Sequence, residues 1–176
     1  MRGIGRFALV GLVLLAACSG EGSGSAASST TTSTTATTLA PTTTTSPQEA
    51  VKAAYLDYWR ILDRLGTAPD PDDAALNTRA VDPVLSAVRD DLTTRPSEGR
   101  TTRIPDGAKY GHRTVAVELS STGAVVSDCF VDDRVQVAAD GSVLNDHIST
   151  VKARAQLVSR GTDWKVSDVQ LQRVGD

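Results

Sequence analysis

Nothing in this 176-residue chain is long and apolar enough to cross a membrane as a helix. The hydrophobic run from Phe7 to Ala17 covers eleven residues, where a span needs about 20. There is no Gly-rich phosphate loop, Walker pattern or G-x-S-x-G elbow, so P-loop and serine-hydrolase chemistry find no support. The two histidines, His112 and His147, lie 35 residues apart with no HxxxH or CxxC spacing near either, which gives zinc no ligand set. Asp70–Asp73 and Asp132-Asp133 lack the alternating ligands and closing Glu of an EF-hand and read as cap and turn residues. No metal site and no cofactor are expected. Basic charge is also in short supply: 18 Lys and Arg against 21 Asp and Glu give a net charge of −3. Arg100, Arg103, Lys109 and Arg113 are scattered rather than interleaved with aromatics, so nucleic acid is not an expected partner.

What the chain does have begins at its N-terminus. Arg2 and Arg6 precede the Phe7–Ala17 run, and Leu15-Ala16-Ala17-Cys18 closes it. A positive start, a short apolar stretch and small residues at its end predict a signal peptide over residues 1–17. Small residues before a single Cys resemble a bacterial lipobox. That resemblance implies a diacylglyceryl (palmitate-type) lipid on Cys18, which becomes the new N-terminus. The alternative is an ordinary cleaved signal beside an incidental cysteine. Two acyl chains suffice for stable anchoring where one does not, so the expected address is the outer face of the cytoplasmic membrane, in the cell envelope. Lipidation of Cys18 would leave Cys129 as the one thiol of the mature chain, excluding an internal disulfide. Cys129 lies in the apolar run AVVSDCFV and is expected to be buried.

Residues 18–46 form the next unit. Positions 19–47 hold eleven Thr and seven Ser, with Leu39 the one large apolar side chain. Such a segment cannot bury enough apolar surface to offset its chain entropy and is expected to be disordered. As a coil it reaches roughly 30 Å, setting a standoff from the membrane; its Thr runs beside proline also suit O-glycosylation.

Residues 47–176 have the size of one domain with its own core. Ser46-Pro47-Gln48-Glu49 combines an N-cap, a proline for the first turn and a capping-box glutamate. Val51, Ala54, Tyr55, Tyr58, Trp59 and Leu62 then repeat at helical spacing up to Gly66, which is expected to end the helix. A short helical stretch is expected after Asp70-Pro71 through Arg79, and a further helix over Pro83–Leu92 with Asp82 as its cap. Arg95–Gly99 reads as a loop.

After that loop the period becomes two. Val115, Val117 and Leu119 alternate with polar residues. Ala124 to Val131 reads as a strand covered on both faces. Val135 and Val137 lead to an Asp140-Gly141 turn, and Val151, Ala153, Ala155 and Leu157 mark the clearest strand. In the last strand Trp164 and Val166 share one phase and Val169 and Leu171 the other, which predicts a β-bulge near Ser167-Asp168. The expected class is α+β, with N-terminal helices packed on a curved, mostly antiparallel sheet.

A long first helix bearing Tyr55, Tyr58 and Trp59, short helices, then strands ending in Thr162-Asp163-Trp164-Lys165-Val166 resemble the cone-shaped fold of nuclear transport factor two and ketosteroid isomerase. The resemblance covers about residues 47–174. It implies a pocket between the first helix and the sheet, lined by Tyr55, Tyr58, Trp59 and Asp128, and a homodimer formed through the sheet. The superfamily holds isomerases, polyketide cyclases and non-enzymatic modules alike. Its catalytic members pair a carboxylate with a Tyr or carboxylic-acid donor in an apolar pocket; Asp128 with Tyr55 or Tyr58 are the candidates here, and His112 is a further acid–base candidate. Asp128 stands out on its own chemistry, because a carboxylate in an apolar strand must find partners. The leading expectation is a non-catalytic module that binds a hydrophobic small molecule or an envelope protein, with an isomerase-like enzyme and a transport- or secretion-complex adaptor as alternatives.

Overall fold

The computed structural model describes residues 45–174. The expected signal peptide, Cys18 and all but the end of the Ser/Thr-rich segment lie outside the described residues. Helix α1 (Pro47–Thr67) starts as its sequence dictates, with the Ser46 side chain accepting from the Glu49 amide at 3.2 Å. Its 21 residues extend about 30 Å and turn Val51, Ala54, Tyr55, Tyr58 and Trp59 into the core. Gly66 does not end the helix. It is buried one residue before the end, where a Cβ would come 3.2 Å from Thr102 Cβ, so its smallness serves the approach of a strand.

Helix α2 is a single turn (Leu76–Arg79). Helix α3 (Val84–Ser97) begins after Pro83, with Asp82 Oδ1 accepting from the Ser86 amide. It runs five residues beyond the expected Leu92, through Pro96, into the segment read as a loop. Two contacts hold that extra turn: Arg95 binds Asp91 at 2.7 Å and Thr102 Oγ1 at 3.1 Å.

Seven strands follow: β1 (Thr101–Arg103), β2 (Thr114–Leu119), β3 (Ala124–Asp132), β4 (Val135–Val137), β5 (Val143–Asn145), β6 (Ser149–Arg160) and β7 (Asp163–Val174). They make two antiparallel sheets rather than one. The larger has the order β2-β3-β6-β7 and the smaller the order β1-β4-β5. β1 and β5 were not expected from the sequence, being three residues each with no alternation to betray them. The chain crosses between the sheets three times, after β1, β3 and β5, the second crossing falling at Asp132–Arg134.

The bulge falls where the phase slip placed it. Gln156 pairs with Asp168 and Leu157 with Val166, leaving Ser167 without a partner in the ladder, and its hydroxyl donates to the Gln156 carbonyl at 3.2 Å. The strand expected to be covered on both faces is buried on one: Ala124, Val126, Asp128 and Phe130 point inward, and the alternate residues are half-buried. Cys129 belongs to that half-buried phase, not to the core. The main core joins α1 to Ala124, Val126, Ala155, Leu157 and Val166; smaller clusters form around Leu65, Leu76 and Leu92 and around Phe130, Val151 and Ala153. The result is the expected α+β layout, helices packed on an antiparallel sheet.

Candidate functional site

The inward phase of β3 carries Asp128 between Val126 and Phe130, with its side chain fully removed from solvent. A carboxylate in that position must be hydrogen-bonded, and two groups converge on its Oδ2. The Tyr55 hydroxyl of α1 donates at 2.7 Å, and His112 Nδ1 lies at 2.6 Å. The ladder pairing Thr114 with Asp128 is what brings His112 to this place, two residues upstream on the same chain segment. The imidazole is stacked on Trp59, with centroids 4.4 Å apart and planes inclined at 19°, and tilted against Phe130.

The series continues outward. His112 Nε2 is 2.9 Å from the Tyr110 hydroxyl, which is 2.8 Å from Asp63 Oδ1 on α1. Arg134 reaches the same Asp63 oxygen at 3.3 Å, grips Asp132 through Nε and Nη2 at 2.8 and 3.0 Å, and lies over the Tyr110 ring at 4.7 Å. Burial, then the hydrogen bond and charge of Asp128, push the Tyr55 hydroxyl far above its ordinary range. Burial alone does the same to Tyr58, and for Tyr110 burial outweighs the opposing charge of Arg134. All three therefore remain phenols and donors. Burial works against charge on Arg134 and Asp132, but their mutual hydrogen bonds win: the guanidinium is raised and the carboxyl lowered.

Of the residues singled out from the sequence, the structure brings together Asp128, Tyr55, His112 and Trp59. Tyr58 is buried edge-on to Trp59 and takes no part in the hydrogen-bonded series. Asp63, Tyr110, Asp132 and Arg134 were missed. Asp63 had a signal, since it falls four and eight residues after Trp59 and Tyr55 on the same helical face. Tyr110 lies in the irregular stretch before β2, where periodicity is silent.

The inner end of the series is sealed and its outer end opens into a cleft of about 200 Å³. Trp59, Leu62 and Asp63 of α1 line one side, Val88, Asp91, Leu92 and Arg95 of α3 another, and Thr102, Ile104, Asp132, Arg134, Gln136, Asn145, His147 and Arg173 the remainder. A neighbouring hollow of about 260 Å³ shares Asp132 and Arg173 and adds Phe130, Val151 and Leu171. Trp59 is the one member of the expected pocket that faces the first cleft; Tyr55, Tyr58 and Asp128 line neither. The lining therefore mixes an apolar floor with charges of both signs. Asp91 is paired with Arg95, and Asp63 and Asp132 with Arg134, while the Arg173 guanidinium has no ion pair among the described residues.

Fold and site together define a small α+β domain of the helix-on-sheet type with a polar-rimmed cleft beside its first helix. No protein-family profile matches the sequence, and no curated protein matches it. Solved structures similar to this chain include the intermembrane space region of the chloroplast protein ARC6, at 12% identity and a TM-score of 0.57, covering 73% of this chain and 98% of that one. They also include a nuclear transport factor 2 (NTF2-like) superfamily protein from Salmonella enterica, at 12% identity and a TM-score of 0.47, covering 72% and 92% of the two chains. The ARC6 likeness is one of fold; sequences this far apart carry no function across.

Proposed function

We propose that this protein is a cell-envelope lipoprotein, held at the outer face of the cytoplasmic membrane through a diacylated Cys18, whose domain binds a small amphipathic molecule without transforming it. The carrying observation is how the acid–phenol pair is used. Asp128 Oδ2 is occupied by Tyr55 and His112, and no surface of its side chain is exposed. A general base must reach the proton it abstracts. The open cleft instead offers an apolar floor of Trp59, Leu62 and Ile104 under paired carboxylates and guanidinium groups, with Arg173 available to an anionic group. At about 200 Å³ it lies below the usual size of drug-binding pockets, so the ligand is small or only partly enclosed. The Ser/Thr-rich tether fits a module that works at a fixed distance from the membrane.

The isomerase-like reading has one observation in its favour: Asp128 Oδ1 is a buried acceptor with no hydrogen-bond partner, beside a phenol donor. That reading requires a route for substrate to a side chain that solvent does not touch.

The test is native mass spectrometry of the full lipidated protein, released gently from its own envelope. The binding-module reading expects a discrete non-covalent mass that is lost when Val88→Trp fills the cleft. A bare protein mass overturns it. Attention would then move to a protein partner, docking on exposed Val143, Leu144 and Ile148.

A further inference from the structure

Four hydrogen bonds run in series from the core to the cleft: Tyr55 to Asp128 Oδ2, Asp128 Oδ2 to His112 Nδ1, His112 Nε2 to Tyr110, and Tyr110 to Asp63 Oδ1. Each needs one proton. The Tyr55 hydroxyl supplies the first, and the single hydroxyl proton of Tyr110 serves one of the last two. With a neutral imidazole and two ionised carboxylates, the series is one proton short. A proton on Asp63 is disfavoured by geometry, because the same Oδ1 already accepts from Arg134 Nη1 at 3.3 Å. The place left is the short His112–Asp128 link. Whether that proton sits nearer Nδ1 or Oδ2, Nε2 must carry a hydrogen of its own.

Charge points the same way. The groups that face the imidazole from α1 are Tyr55 and Trp59, from β3 Asp128 and Phe130, and from the preceding segment Tyr110. Behind Tyr110 stand Asp63, Asp132 and Arg134. Three carboxylates thus meet two guanidinium groups, Arg134 and, acting on Asp132 from β7, Arg173, which leaves one negative charge for an imidazolium to balance.

We propose that the His112–Asp128 pair holds this extra proton and acts as a proton-sensitive lock on the cleft. While Nε2 carries hydrogen, it donates to the Tyr110 oxygen, and Tyr110 commits its own proton to Asp63 in the cleft wall. When the extra proton leaves to solvent, Nε2 becomes an acceptor. Tyr110 then turns its one proton inward, and Asp63 faces the cleft held by Arg134 alone. Only this consequence rests on the cleft as the binding surface; the protonation itself is read on ligand-free protein, so the two proposals fail separately.

The experiment is long-range proton–nitrogen NMR of the full-length protein with ¹⁵N-labelled histidine at about pH 7.5, roughly one unit above the ordinary imidazole midpoint. His112 is assigned by the signals lost in His112→Gln, His147 supplying the other set. The expected spectrum has a protonated Nε2 in the wild type, and Tyr110→Phe removes that proton at the same pH by taking away its acceptor. Asp63→Leu, which removes the acceptor and lets Tyr110 donate inward, has the same expected effect should the Phe variant fold poorly. An unprotonated Nε2 in the wild type overturns the extra proton, and an Nε2–H that persists in a folded variant overturns the lock.

Discussion

Two tyrosines one turn apart on α1 illustrate how differently a buried hydroxyl can count. Tyr55 donates to a fully buried carboxylate, whereas the Tyr58 hydroxyl makes no hydrogen bond among the described residues. Tyr55→Phe is therefore expected to cost about 1.5–3 kcal/mol, the range for hydrogen bonds to charged groups, and Tyr58→Phe less than about 0.5 kcal/mol. Urea denaturation of the two variants checks the contrast. The importance of Asp128 was legible in the sequence because a lone acid in an apolar run demands partners. Which tyrosine would answer it was not, since Tyr55 and Tyr58 both fall on the helical stripe and only the seating of α1 on β3 separates them. Cys129 failed for a related reason: in a run where nearly every residue is apolar, the phase that faces inward leaves no mark. Once Asp128 and Phe130 are inward, alternation puts Cys129 outward.

Element boundaries divide by whether their causes are local. The start of α1 is written in Ser46, Pro47 and Glu49, which act on one another over three residues. The end of α3 is not, because Arg95 holds it by reaching Thr102 on β1, and so the breaker signal of Pro96 misleads. The bulge in β7 is local again, visible as a slip of hydrophobic phase. Deleting Ser167 is expected to convert the bulge into a regular ladder, because Leu157–Val166 and Gln156–Asp168 become successive pairs and Asp168–Val174 keep their faces, so the denaturation transition stays cooperative. A variant that lost the cooperative transition would contradict this. Gly123→Ala tests a tighter point, as its Cβ would sit 2.6 Å from the Leu157 carbonyl oxygen across the β3–β6 pair. A loss of about 1–3 kcal/mol in the denaturation free energy is expected, as for overpacking elsewhere.

At the scale of the whole molecule, all three tyrosines of the chain have hydroxyls raised above their ordinary value, in each case first by burial. The folded state thus resists ionisation that the unfolded chain undergoes near pH 10. The stability tied to these phenols is complete below about pH 10 and falls as pH climbs beyond it, because deprotonation then favours the unfolded state. Tyrosinate absorbance is expected to rise together with the loss of circular dichroism rather than before it; tyrosines that ionise while the protein stays folded would refute that. The sequence by itself determined the elements whose causes lie within a few residues: the capped α1 stripe, the alternation of β6, the Ser167 bulge, and from their order an α+β class. It also determined that Asp128 needs partners. The tertiary structure alone decided that the strands divide into two sheets, that Pro96 stays helical, and that Asp128, His112, Tyr110 and Asp63 fall into one line. The physical reason is that periodicity records which face of an element avoids water, while a hydrogen-bonded series depends on strand register and on where a helix lands on a sheet. Both are set by packing among residues far apart in the chain, which no local window contains.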